Sequence, residues 1–228
     1  MAWWTLPRIP EAEVMSEAAE VSAYASAAAQ NYLDTLDDTF VEQILGFGVD
    51  SGLALDIGTG PGGIPLKIAR RNPNLRLIGV DRSEAMIQAA RNAAREQNSA
   101  GRVRFLLGDA NRLCFPDAAF DLVLSNSLLH HLADPVGVFR EMARVARPGG
   151  WVVVRDLRRP SKVAFPFHAA WHGRHYTGLM RELYEASLRS AYTANELREL
   201  LNRASLGAAR LFRFGRTHLG FVMQKGGP

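Results

Sequence analysis

Ala54-Leu-Asp-Ile-Gly-Thr-Gly-Pro-Gly-Gly63 is the stretch that decides the fold. An apolar run closes on Asp56, glycines crowd the next seven positions, and the helical pattern Ile64 to Arg71 follows. A strand that feeds a helix through glycines brings backbone N–H groups and a helix N-terminus close to a ligand. Two readings compete. Gly58, Gly60 and Gly63 satisfy the G-x-G-x-x-G pattern used for dinucleotides, while Asp56, Gly58, Gly60 and Gly62 spell D-x-G-x-G-x-G. The glycines alone do not choose between them.

Downstream, strand and helix patterns alternate, which predicts a parallel sheet covered on both faces. Strands are expected at Leu53–Ile57, Arg76–Val80, Val103–Leu107, Phe120–Ser125 and Trp151–Asp156. Helices fit Gly63–Arg71, Ser83–Gln97 and Pro135–Ala146, with Ser83 as an N-cap and Arg147-Pro-Gly-Gly150 as a breaker after the last. Thr193-Ala-Asn-Glu196 matches a capping box that opens a helix to about Ala204, and two strands close the chain at Ala209–Phe214 and His218–Gln224. Upstream, Trp3 to Pro10 reads as an extended arm because of its prolines, followed by helices over about Glu11–Gln30 and Leu33–Leu45. Tyr24 and Tyr32 are the polar aromatics of that region. Leu157 to Tyr192, rich in aromatics and histidines, reads as an insertion over the ligand-binding edge.

In an open parallel sheet, ligands bind beyond the carboxyl ends of the strands. Here those ends carry Asp56, Asp81, Asp109, Ser125-Asn126 and Asp156. Asp81 suits ribose hydroxyls in either reading and does not discriminate. Val103-Arg-Phe-Leu-Leu-Gly-Asp-Ala110, Phe120-Asp-Leu-Val-Leu-Ser-Asn126, His130-His131-Leu132 and Arg147-Pro-Gly-Gly-Trp151 do. Taken in order with Asp56, they resemble the segments of class I S-adenosylmethionine (SAM) methyltransferases, in particular the broad small-molecule group, over roughly Leu53 to Asp156. The resemblance implies a Rossmann-like α/β fold: a mostly parallel seven-stranded sheet with an antiparallel C-terminal strand pair and helices on both faces. One domain over 1–228 is expected, with a helical cap (1–50), a SAM-binding core (51–156), a substrate-side insertion (157–192) and a C-terminal helix and strand pair (193–228).

The resemblance also implies roles for individual residues. Gly58, Thr59 and Gly60 would pass the methionine half of SAM, with Asp56 near its amino group. Asp81 would hold the ribose, with Arg82 and Met86 flanking the adenine. Asp109 and Ala110 would read the adenine edge, and Ser125 would line the pocket. The product would be S-adenosylhomocysteine (SAH).

SAM carries its own electrophile, so the protein must chiefly align an acceptor and, where needed, remove its proton. His130 and His131 follow the fourth strand and stand as base candidates, or they simply build the turn. Asp156 and Arg158 lie beyond the fifth strand; Arg158-Arg159 could clamp a carboxylate or phosphate of an anionic acceptor, or form a solvated basic turn. His168, His172 and His175 recur at i, i+4, i+7, which could ligate a metal, line the pocket or merely pack; no metal is expected.

Composition narrows the field. The chain has 228 residues, 47% hydrophobic and 22% charged, the balance of a globular protein. No apolar run approaches the ~18 residues of a membrane span, and no signal peptide is evident, so a cytoplasmic enzyme without a membrane partner is expected. Cys114 is the only cysteine, which excludes an intrachain disulfide. The net charge of +4 keeps an RNA or protein methyltransferase as one rival, although no Asn/Asp-Pro-Pro-Tyr/Phe motif or RNA-binding module stands out. A non-catalytic SAM/SAH-binding protein is the second rival, and an NAD(P) oxidoreductase the third. A monomer or homodimer is expected.

Overall fold

In the computed structural model, residues 4–11 and 27–226 are described. Helix α1 (Ala27–Leu45) leads into β1 (Gly52–Ile57), α2 (Gly63–Arg71), β2 (Leu75–Asp81), α3 (Glu84–Glu96) and β3 (Val103–Leu107). Then come β4 (Phe120–Asn126), a single 3-10 turn (Leu129–His131), α4 (Val136–Val145) and β5 (Ala146–Leu157). The insertion holds α5 (Phe165–Gly173) and α6 (Leu179–Ser190), and the chain ends with α7 (Ala194–Arg203), β6 (Arg210–Phe214) and β7 (His218–Gln224).

The seven strands form one sheet in the order β3-β2-β1-β4-β5-β7-β6. The first five run parallel, while β7 lies antiparallel between β5 and β6. Strand alternation sorts side chains onto two cores. Along β1, Leu55 and Ile57 join the layer that holds Val138, Phe139 and Met142 of α4 and Leu197 of α7, whereas Ala54 joins the layer of Phe40, Ile68 and Ile87. Phe139 and Phe221, both fully buried, meet edge-on at 5.1 Å. Each such side chain contributes about 1.5–3 kcal/mol by leaving water. The strand order reverses between β1 and β4, and the cleft of an open sheet forms at such a point.

Local signals hold where the chain can satisfy them by itself. The Ser83 hydroxyl accepts from Met86 N, and Thr193 and Glu196 make both halves of the capping box. Two expectations change. No break separates helices near Leu33, because α1 runs unbroken from Ala27 with no proline or glycine to stop it. Most of the expected Glu11–Gln30 helix, Tyr24 and the Tyr32 side chain lie outside the described residues. Arg147-Pro-Gly-Gly150 is not a turn ahead of the fifth strand but part of β5. Phe120 pairs with Ala146 and Leu122 with Trp151, so the extra residues are absorbed as a bulge, with Gly149 at φ +78°.

Candidate functional site

The glycine turn after β1 is fixed from below. Gly58 N and Thr59 N both donate to Val80 O, at 2.8 and 3.0 Å, which folds the turn over the end of β2. At Gly58, φ is +73° and a Cβ would sit 2.9 Å from Leu128, so glycine is required twice over. Gly60, at φ +53°, would meet nothing with a Cβ. Its neighbourhood is open space for a ligand. No side chain caps the N-terminus of α2, which begins at this turn.

Asp81 ends β2 at the same place. One carboxylate oxygen accepts from Gly60 N at 2.8 Å and the other from Ser83 N at 2.9 Å, which holds the carboxylate between two loops with lone pairs to spare. Asp109 lies exposed beyond β3, one oxygen accepting from Asn111 N at 2.8 Å. Met86, in the first turn of α3, is buried.

These residues open onto one cavity of about 300 Å³. Asp56, Gly58, Thr59, Gly60, Asp81, Arg82, Met86, Asp109 and Ala110 all line it. Ser125 does not. Its hydroxyl is wholly buried and donates to Ile57 O at 2.7 Å, tying β4 to β1 beneath the site.

Asp56 is 1% exposed. Burial pushes its pKa up to about 7; the Thr59 hydroxyl opposes this, and the Asp37 and Asp81 charges reinforce it. Asp37, which α1 delivers to the same wall, rises to about 6 for the same reason, against the pull of Lys67 and Arg155. The sequence reading missed Asp37, since an acid in an acidic helix carries no motif. It missed Arg155 as well. That fully buried guanidinium donates to Asn126 Oδ1, Thr39 Oγ1 and Leu36 O at 2.8–2.9 Å, binding α1 to the ends of β4 and β5. Burial lowers its pKa to about 10.

On the far side of the glycine turn, the 3-10 turn presents His130 and His131 to the cavity. His130 Nδ1 lies 2.7 Å from Asp156 Oδ1. Asp156 also accepts from Leu129 N at 2.5 Å and Leu157 N at 2.6 Å, so its carboxylate is fixed from three sides. Burial disfavours a charged His130, but the Asp156 charge and hydrogen bond, helped by Glu11, outweigh it and hold the imidazole above its ordinary pKa. Asp156 is held below its own ordinary value: burial pushes it up, and the pull of His130 wins. With Nδ1 engaged, Nε2 is the nitrogen left to act on a ligand.

Asp156 therefore stands behind His130 rather than in the cavity wall, a correction to its place among the residues expected at the acceptor. Arg158 is a second correction. It is absent from the wall, and its guanidinium donates to Arg216 O at 2.9 Å. Arg159 turns inward to an ion pair with Glu196. The turn before β7 thus holds Arg158 away from the cleft, and the residues around the start of α7 hold Arg159. The histidine series also breaks up: α5 stops at Gly173, short of His175, and none of the three lines the cavity. His168 and His172 stack at 4.7 Å, and burial drives His168 down to about 4.

Two further residues escaped the sequence reading. His218, at the start of β7, lines the cavity as a neutral imidazole, driven down to about 3 by burial and by Arg155. Glu11 approaches from the N-terminal arm, 3.6 Å from His131 Nδ1, and accepts from the Ser187 and Ser190 hydroxyls. Glu11, His130 and His131 offer ligand atoms within 4.8 Å of one another, the one such grouping among the described residues, and could hold a cation. Arg8 secures this arm, donating to Ser190 O and Leu132 O at 2.6 and 2.8 Å and stacking on Tyr192. An apolar part of the wall comes from Leu157, Tyr176, Met180, Leu183 and Tyr184 on the insertion side and from Leu33 and Leu36 of α1.

Residues 55–154 match the family described as "Methyltransferase domain". An "Uncharacterized methyltransferase" of Schizosaccharomyces pombe is 34% identical over 117 residues, 49% of this chain and 42% of that protein. A ubiquinone/menaquinone biosynthesis C-methyltransferase of Geobacter sulfurreducens is 31% identical over 142 residues, 55% of this chain and 56% of its own length. The chain thus spans about half the length of these curated relatives. Among solved structures, a SAM-dependent methyltransferase from Aquifex aeolicus superposes with a TM-score of 0.64 at 17% identity, covering 90% of this chain and 97% of that one; the likeness is one of fold.

Proposed function

From the premise that residues 55–154 are a methyltransferase domain, we propose that the whole chain acts as one SAM-dependent methyltransferase unit. Its acceptor would be a small, largely apolar molecule. The observation that carries this reading is the continuity of the cavity. A single space runs from the glycine turn and Asp81 to the His130–Asp156 pair and the apolar wall of the insertion.

The donor set fits SAM. Asp37 and Asp56 are held partly protonated by burial, and each gains by ionising against an ammonium such as that of the methionine moiety. Asp81 has lone pairs to offer ribose hydroxyls, Asp109 and Ala110 at the end of β3 would read the adenine edge, and Met86 would offer an apolar face. SAM when bound supplies a sulfonium-activated methyl group, so the chain's own task is alignment and proton removal.

His130 is the group placed for proton removal. Asp156 holds the Nδ1 proton and fixes the ring, which leaves Nε2 to take a proton from the acceptor, and the carboxylate then stabilises the imidazolium. His218, held neutral and weakly basic by burial, is suited to a hydrogen bond rather than to that proton.

The wall argues against the anionic acceptor expected from Arg158-Arg159. Among the lining residues Arg82 is the one arginine or lysine, against Asp34, Asp37, Asp56, Asp81 and Asp109. No arginine or lysine lines the insertion end of the cavity to pair with an anion, whereas a neutral hydroxyl or carbon acid on an apolar body meets Tyr176, Met180 and Tyr184. The quinone-pathway relative is compatible with such an acceptor.

Calorimetry with SAM, SAH, NAD and NADP tests the reading. Selective binding of SAM or SAH is expected. Binding of NAD or NADP alone would overturn it, and a chain that binds SAM yet methylates nothing in a broad screen of apolar hydroxyl and carbon acids would leave a binding protein.

A further inference from the structure

Helix α5 is apolar on both faces. Phe165, Ala169 and Gly173 form its inner stripe and pack with Tyr176, Met180 and Tyr184 in the core of the cap. The opposite face does not pack. Phe167 and Trp171, one turn apart, are 75% and 65% exposed, and Val163 just ahead of the helix is 60% exposed. Trp4, whose carbonyl accepts from Lys162 N, adds a 52% exposed indole beside them. Isolated exposed apolar residues are ordinary, but four large ones along one short helix and its attached arm are a patch with a purpose.

The charge along this segment of chain is of one sign, up to Glu182 in the next helix. From Leu157 to Arg181 the sequence holds five cations (Arg158, Arg159, Lys162, Arg174, Arg181) and no Asp or Glu. Arg159 is spent on Glu196 and Arg181 pairs with Glu185, but Lys162 and Arg174 lie exposed at the two ends of α5. Arg174 lies 4.1 Å over the Trp171 ring, its charge at the rim of the apolar face. Exposed aromatics bracketed by the exposed cations Lys162 and Arg174 match the interface of an anionic bilayer, where indole and phenyl rings sit among headgroups and basic side chains meet phosphates. No helix among the described residues is long and apolar enough to cross a membrane, so this contact is peripheral.

We propose that the outer face of α5, with Val163, Phe167 and Trp171, anchors the chain on an anionic lipid surface, from which the cavity beneath draws its apolar acceptor. The second half of this proposal rests on the methyltransferase reading above; the anchor itself does not. The two faces of one cap are thereby joined, bilayer outside and acceptor inside, because Tyr176, Met180 and Tyr184 belong both to the packed inner face and to the cavity wall.

Flotation of the full chain with vesicles tests it. One set mixes phosphatidylcholine with phosphatidylglycerol, and the other is phosphatidylcholine alone. Partitioning onto the anionic vesicles at low salt is expected, weakened by high salt. The double variant Phe167→Ser/Trp171→Ser should lower it by at least about tenfold, with a melting temperature little changed because both side chains are largely exposed. Failure to float with anionic vesicles at low salt would overturn the anchor. So would a double variant that floats like the parent, or a patch that instead pairs two copies of the chain in sedimentation. SAM calorimetry on the same samples keeps the two readings apart. Binding of SAM without vesicles removes only the anchor, and binding of vesicles without SAM or SAH removes only the methyltransferase reading.

Discussion

Asp156→Asn should destabilise the protein in a strongly pH-dependent way. The parent pair is buried, with His130 and Asp156 4% and 2% exposed and 2.7 Å between Nδ1 and Oδ1. His130 has its folded pKa raised, so its share of the stability is fully present below the unfolded value of 6.5 and is lost as pH rises through the folded pKa. Asp156 has its folded pKa lowered, so its share is present above 3.8 and is lost as pH falls through the folded pKa. Between those limits both charges are in place. Removing one partner there costs about 3–5 kcal/mol, because the other is left buried and uncompensated or must neutralise. Above the folded pKa of His130 the imidazole is neutral, and the loss shrinks to poorer hydrogen bonds with Leu129 N and Leu157 N, about 1–2 kcal/mol. Urea unfolding of parent and variant, followed from about pH 5 upward through the folded pKa of His130, measures both deficits. The deficit at the lower pH should exceed that at the higher by about 2–3 kcal/mol. Equal deficits would refute the reasoning, since they would mean that His130 is never charged against Asp156 in the folded state.

Four other outcomes are expected. Asp81→Ala should weaken SAM binding by about 1–3 kcal/mol through loss of charged hydrogen bonds; unchanged affinity in calorimetry would remove the ribose role. His130→Ala should lower turnover by about 10²–10⁴-fold with little effect on SAM affinity. His131→Ala should cost much less, because only its neighbour is backed by Asp156, and comparable losses in kcat would undo that assignment. Arg158→Ala should leave turnover within about twofold, as a half-exposed side chain bonded to Arg216 O has little to give the cleft; a large rise in KM would restore the anionic-acceptor idea.

How much of this was legible in the sequence depends on the range of each interaction. The glycine turn, the Ser83 cap and the Thr193–Glu196 box are short-range devices, each complete within a few residues, and they stand where the pattern placed them. The strand-end acids that line the cavity were equally legible, because parallel strands put every carboxyl end on one edge and the order of motifs follows the chain. The Pro-Gly-Gly segment misled because composition marks a break but not its kind. A bulge and a turn use the same residues, and only pairing with β4 makes it a bulge.

The acceptor side was legible only in outline. Asp156 and Arg158 stand two residues apart at the end of one strand, and the sequence offered no reason to treat them differently. In the fold, Asp156 is buried behind His130 while Arg158 bonds to the backbone of the β6–β7 turn. Glu11 and His131, 120 positions apart by their numbers, meet because Arg8 pins the arm to α6 and to the 3-10 turn. Arg155 and Asp37 carry no motif at all, and they matter only because α1 lies across the ends of β4 and β5.

By itself, then, the sequence determined the alternation of strand and helix, the glycine-lined cofactor edge and the methyltransferase likeness, all of which follow from periodicity and from residues close in the chain. Tertiary structure alone decided which histidine is backed by Asp156, which arginines leave the cleft, and which aromatic face stays in water. Those outcomes depend on burial and on contacts between distant segments, and the charge state of a carboxylate or an imidazole is set by the neighbours that folding brings to it rather than by its place in the chain.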